Sequence, residues 1–173
     1  YLASKLTPSI DDMDMNFEDF VARVNSDLVG KVTNVASRSA QMLEKLGGTS
    51  GKLDEEGSAK VAWAQSRSEV IADFYESRDF AKAMNEIRSI ADEANKYFDS
   101  YEPWKLVKTE PERTRQVLGA TLNLFRIMAI YLKPILPSYS VKVESLFRET
   151  PYQWQDAQKT LVDHHLNPFV HLI

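Results

Sequence analysis

Apolar residues recur at three- and four-residue intervals through long stretches of this chain, and nowhere do they alternate over the length of a strand. That period of about 3.6 confines the chain to helices packed on helices. Five stretches carry it. The first runs from about Phe17 to Leu46 and is expected to stop at Gly47-Gly48, where glycine takes a left-handed cap. The second, Ser58 to about Ser77, offers Val61, Ala64, Val70, Ile71 and Phe74 inward, and the third, about Asp79 to Phe98, offers Phe80, Met84, Ile87, Ile90, Ala91 and Ala94. A fourth begins near Pro111, a favourable first-turn residue, and reaches Leu132 before LKPILP breaks it. The fifth spans about Ser138 to Phe147. The expected fold is all-α, an antiparallel bundle of about five helices.

The segments between them are punctuated clearly. GGTSGKLDEEG at 47–57 holds four of the six glycines and reads as a loop, and Tyr101-Glu102-Pro103-Trp104 interrupts the helical pattern, with proline biasing Glu102 away from helical angles. Residues 1–16 read as a linker, 17–148 as the bundle and 149–173 as an aperiodic tail laid over it. Asp12, Asp14 and Asn16 imitate the start of a calcium loop, but Phe17 replaces its glycine and Arg23 its bidentate glutamate. Asn16 with Asp19 is better read as a variant capping box.

A chain of 173 residues with 43% hydrophobic and 27% charged residues can bury a substantial core. The net charge of −4 excludes a globally basic nucleic-acid binder, though not a local basic patch. Having no cysteine, the chain has neither disulfides nor thiolate metal ligands, which suits the cytoplasm. No apolar run approaches bilayer length. A start at YLASKL, without an initiator methionine, points to a piece of something longer.

Catalytic signatures are missing. All three histidines, His164, His165 and His171, lie in the tail, and no helix carries an H-E-x-x-H pair. The glycine-rich loop follows a helix and lacks the Lys-Ser/Thr ending of a phosphate loop, and no serine sits in a nucleophile elbow. No catalytic or metal-binding residue is therefore assigned.

Two places remain. In NSDLVGKVTNVASR the wheel puts Val21, Leu28, Val32, Val35, Met42 and Leu46 on one stripe and Asp27, Lys31, Asn34, Arg38, Gln41 and Lys45 on another. An amide and a guanidinium one turn apart suit base edges or a carboxylate, and equally suit a solvated face. Trp104, in its Pro-Trp loop, either closes the core or offers a stacking platform for an unpaired base. Lys105 and Lys108 directly after it, and Lys31 on the polar stripe, are possible phosphate contacts.

Asn34 and Arg38 in KVTNVASR resemble the anticodon-reading helix of bacterial methionyl-tRNA synthetases. The likeness extends along the chain through FYESRDFAKAMNEIRSIADEANKYFD, EPWKLVK, LNLFRIMAIYLKPILP and NPFVHLI, in family order. N-x-D-L, the E-P-W loop and the L-x-P-I-L-P break are shared with other class I synthetases, such as those for cysteine, valine and leucine. The combination of Asn34, Arg38 and Trp104 is more specific. The resemblance implies that Trp104 stacks on an anticodon base of methionine tRNA and that Asn34 and Arg38 bond the edges of the CAU anticodon. It implies RNA as partner, not DNA or a membrane, together with a catalytic domain of the same polypeptide. The HIGH and KMSKS motifs and the zinc-binding cysteines of that catalytic half are not in this sequence. ATP, magnesium and zinc are expected there and not here. Where the family often has Asn this chain has Gly30, and SIDDMD resembles the segment joining the two halves. A different class of function, a helical protein-interaction module with Trp104 and Arg38 as hot spots, fits the acidic charge.

Overall fold

The computed structural model describes Asp27 and residues 30–170; the expected linker, the calcium-loop mimic, the Asn16 cap, Val21 and Leu28 lie outside the described residues. The described part is all-helical. Its elements are α1 (Lys31–Lys45), α2 (Glu55–Ser66), α3 (Ser68–Glu76), α4 (Phe80–Tyr101), the single turn α5 (Pro103–Leu106), α6 (Pro111–Leu132), α7 (Pro137–Leu146) and a 3-10 turn (Trp154–Gln158). Among the described residues the only β pairing is an isolated bridge between Thr49 and His165.

α6 is the axis of the bundle. It packs against α1, α2, α4, α5, α7 and the 3-10 turn, while α3 leans on α4. Pro111 opens it as expected. The sequence pattern predicts one apolar face, but every residue from Val117 to Leu132 is buried, Asn123 and Arg126 included. A helix surrounded on all sides must satisfy its polar side chains internally. Asn123 does so by imitating a strand neighbour: its Nδ2 donates to the Leu161 carbonyl and its Oδ1 accepts from the Leu161 N–H, both at 2.8 Å. Arg126 grips Glu149 with Nε at 2.6 Å and Nη2 at 3.0 Å, and its Nη1 donates to the carbonyls of Asp156 and Lys159. Lys133 bonds Glu144 and the Tyr152 carbonyl in the same manner. These polar bonds, together with buried Tyr152, Ala157, Leu161 and Leu166, hold the C-terminal stretch on the bundle. The stretch lacks periodicity because side chains of α6 and α7 dock its backbone.

The single helix expected over 58–77 is two. Asp54 starts α2 early by accepting the Gly57 N–H at 2.7 Å. The helix breaks at Arg67, where the Ser66 hydroxyl donates to the Trp63 carbonyl and the Tyr131 hydroxyl takes the Ala64 carbonyl at 2.8 Å, diverting acceptors from the ladder. α4 runs one turn past the expected end, to Tyr101.

α1 closes as its sequence requires. Gly47 and Gly48 have φ of 101° and 80°, and the Gly48 N–H returns to the Leu43 carbonyl at 2.8 Å. The tail clamps this corner from outside: the N–H of Ser50 bonds the His164 carbonyl and that of Leu166 the Gly48 carbonyl, each at 2.9 Å. The C-terminal end of α1 is thereby fixed by residues more than a hundred positions away.

Candidate nucleic-acid interface

α1 has two sides. Val32, Thr33, Val35, Ala36, Ser39, Ala40 and Leu43 are buried, so the inner stripe is wider than expected, with Met42 and Leu46 only half-buried. Thr33 hydrogen-bonds Tyr139 at 3.0 Å, which fixes the helix rotationally. Lys31, Asn34, Arg38, Gln41 and Lys45 consequently face outward. Among the described residues neither the Asn34 nor the Arg38 side chain makes a hydrogen bond or an ion pair, so Arg38 is not a partner for a neighbouring acid there.

Arg38 points instead at aromatic rings. Its guanidinium carbon lies 4.9 Å from the centre of the Phe98 ring and 5.2 Å from that of Trp104. Phe98 is fully buried at the end of α4, and the Trp104 ring sits 5.9 Å from it, tilted by 46°. Trp104 is 41% exposed, so it does not close the core. The indole thus meets Phe98 and Arg38 while much of it stays open to solvent. Stacked cations of this kind contribute about 0.5–1 kcal/mol at exposed sites.

The turn carrying Trp104 is built from Glu102 and buried Pro103. Lys105 pairs with Glu102 at 2.7 Å and stays exposed, as does Lys108. Lys31 lies two turns before Arg38 on the same polar stripe. The structure thus joins Arg38 to Trp104 directly and keeps Asn34 on the same exposed face of α1. Among the described residues no lysine lies over the indole as Arg38 does.

Sequence reading missed the neighbour that secures the far side of this region. Asp54 caps α2, pairs with Arg113 at 2.7 Å and accepts from Tyr97 at 3.2 Å, while Arg113 lies 4.6 Å over the Tyr101 ring. Tyr101 in turn bonds Glu56. The only local signal was an acid ahead of a helix start. Among the described residues no three acidic or histidine side chains converge as metal ligands would, and no helix is long and apolar enough to cross a membrane.

An amide, a guanidinium and a partly open indole at one edge of a helical bundle are groups suited to unpaired RNA bases. The chain belongs to the family described as the anticodon binding domain of methionyl tRNA ligase, whose model matches residues 47–168. Residues 1–40 match a second family, tRNA synthetases class I (M), so Arg38 and Trp104 come from different matched segments and meet only in the fold. A methionine–tRNA ligase of Bdellovibrio bacteriovorus is 51% identical over 173 residues, covering 99% of this chain and 25% of that protein. The chain therefore spans about a quarter of the length of that relative. Among solved structures, Mycobacterium tuberculosis methionyl-tRNA synthetase in complex with methionyl-adenylate superposes with a TM-score of 0.80 at 28% identity, covering 91% of this chain and 33% of that one. The apo form of the same enzyme gives the same TM-score over 34% of its chain. Membership of the methionine family replaces the cysteine, valine and leucine alternatives.

Proposed function

We propose that the exposed edge formed by α1 and the Pro-Trp turn reads the CAU anticodon of methionine tRNA. The observation that carries this reading is the Arg38–Trp104 contact beside Asn34, whose side chain has no hydrogen-bond partner among the described residues. The open part of the indole offers a stacking surface for an unpaired base. The Asn34 amide and the Arg38 guanidinium supply donors and an acceptor for base edges. Lys31, Lys105 and Lys108 would meet flanking phosphates, a local attraction that a net charge of −4 does not prevent.

In this reading the chain serves a cytoplasmic methionine–tRNA ligase, which joins methionine to its tRNA at the expense of ATP. ATP, magnesium and zinc belong to the catalytic part of such a ligase, since this sequence carries neither its nucleotide-binding motifs nor its cysteines. Anticodon binding here would orient the acceptor end in the distant active site, remote binding energy being used to position reacting groups.

The test is binding of the full-length protein to methionine tRNA and to a tRNA altered at the first anticodon base. Selective binding should weaken with salt, with a slope of about −2 in log–log form for three phosphate contacts to a single strand. Trp104→Ala and Arg38→Ala should each lose affinity and aminoacylation efficiency while helical circular dichroism is unchanged. Wild-type aminoacylation in both variants would sink the proposal.

A further inference from the structure

Trp104 reaches the surface through a strained turn. α4 ends at Tyr101, and Glu102 reverses the chain at φ 45°, ψ 57° immediately before Pro103 opens α5. Residues with a β carbon are uncommon in this left-handed region, and helices that end this way usually do so on glycine. A following proline adds a second objection, because it pushes its predecessor towards extended angles. Glu102 therefore holds a backbone conformation that both its own side chain and its neighbour disfavour. Strain of this sort survives only where the surroundings over-determine it, and it concentrates at binding sites.

The surroundings are visible. Glu102 donates its N–H to the Asp99 carbonyl at 3.3 Å, and its own carbonyl accepts the Lys105 N–H at 2.8 Å. Its carboxylate bonds the Lys105 ammonium at 2.7 Å. A main-chain bond and an ion pair thus close the same short loop, and Trp104 is inside it. Pro103, the next residue, is buried.

We infer that Glu102 is a positioning residue for Trp104: its left-handed backbone directs the indole onto Phe98 and Arg38, and its bond to Lys105 locks the turn. The inference rests on the anticodon reading above. The pairing has a second consequence. A carboxylate two residues from a base-stacking ring would repel RNA phosphate, and Lys105 neutralises it.

The experiment measures methionine tRNA affinity in the full-length protein for Glu102→Val, Glu102→Ala, Glu102→Gly and Glu102→Asn, each with Trp104 present and in a Trp104→Ala background. Valine tolerates the left-handed region worst and should lower affinity about tenfold, within the worth of one base stack. Alanine should lose less, while glycine and asparagine, which adopt that region readily and forfeit only the ion pair to Lys105, should recover most of the valine loss. In the Trp104→Ala background the valine and alanine losses should vanish, because the ring they misplace is gone. Rescue by glycine separates positioning from general damage to the fold, and the alanine variant carries the same comparison should the valine variant not fold. Wild-type affinity in the valine and alanine variants, or losses that persist in full without Trp104, would overturn the inference and leave the anticodon reading standing. If Trp104→Ala itself leaves binding unchanged, the anticodon reading falls and the positioning role falls with it.

Discussion

The Arg38 guanidinium lies within 5.2 Å of the Trp104 ring centre and within 4.9 Å of the buried Phe98 ring, so a residue of α1 braces one from the turn after α4. Arg38 forms one side of the seat that holds the indole, and under the proposed anticodon reading it would also be a donor to base edges.

That dual use predicts coupling. The losses in tRNA affinity from Arg38→Ala and Trp104→Ala should sum to more than the loss in the double variant, by about 0.5–2 kcal/mol. Arg38→Lys should restore little, since an ammonium lacks the planar face that stacks on a ring. A double-mutant cycle on the full-length protein reads both; strict additivity would mean that the two side chains act independently.

Arg126, 1% exposed, is the principal fastening of the C-terminal stretch. Arg126→Ala strands the Glu149 carboxylate and two carbonyls, and should cost about 3–5 kcal/mol in urea unfolding. Arg126→Met fills the space and should cost less, with Glu149→Gln added to remove the orphaned charge. Limited proteolysis within 149–160 should accelerate in the alanine variant before global unfolding does, because the clamp between α6 and that stretch is what it removes.

Asp54 gives the fold an acid-sensitive point. Burial raises its carboxyl, but the Gly57 N–H, Arg113 and the Tyr97 hydroxyl together outweigh that and hold it below the usual carboxylate value. A carboxyl lowered in the folded state stabilises at pH above its unfolded value, about 3.9, and loses that contribution as pH falls through the lower folded value. Asp54→Asn should therefore show a flatter loss of stability below about pH 4 than wild type in acid titrations followed by circular dichroism. Asp54→Ala also removes the cap and should cost about 1 kcal/mol at neutral pH.

Gly57 reverses a familiar substitution. Replacing a helical glycine with alanine ordinarily stabilises by about 1 kcal/mol. Here a β carbon would stand 2.8 Å from the Ala120 Cβ and from the Asp54 carboxylate, and 3.0 Å from the Tyr97 hydroxyl. Gly57→Ala should instead destabilise by about 1–3 kcal/mol, and Ala120→Gly should relieve part of it. Thermal unfolding of the two single variants and the pair decides the sign.

Much of this was legible without coordinates, for local reasons. Pro111 and the LKPILP break bracket α6 at the residues observed, and Gly47-Gly48 ends α1 with the positive φ that glycine supplies. The wheel of α1 separates buried Val32 and Val35 from exposed Asn34 and Arg38, because a helix with one side against a bundle must show the other to water.

What the sequence by itself determined is the class of fold, the bounds of α6 and the outward side of α1, all of which follow from periodicity and from the backbone preferences of proline and glycine. Only the tertiary structure decided that α6 would be buried all round, that Asn123 and Arg126 would bind a distant stretch of backbone, and that Trp104 would stand open against Arg38. Those outcomes depend on partners dozens of residues away. Trp104 turns on the angles of one residue, Glu102, whose left-handed conformation runs against its own local preference and is held by the contacts around it.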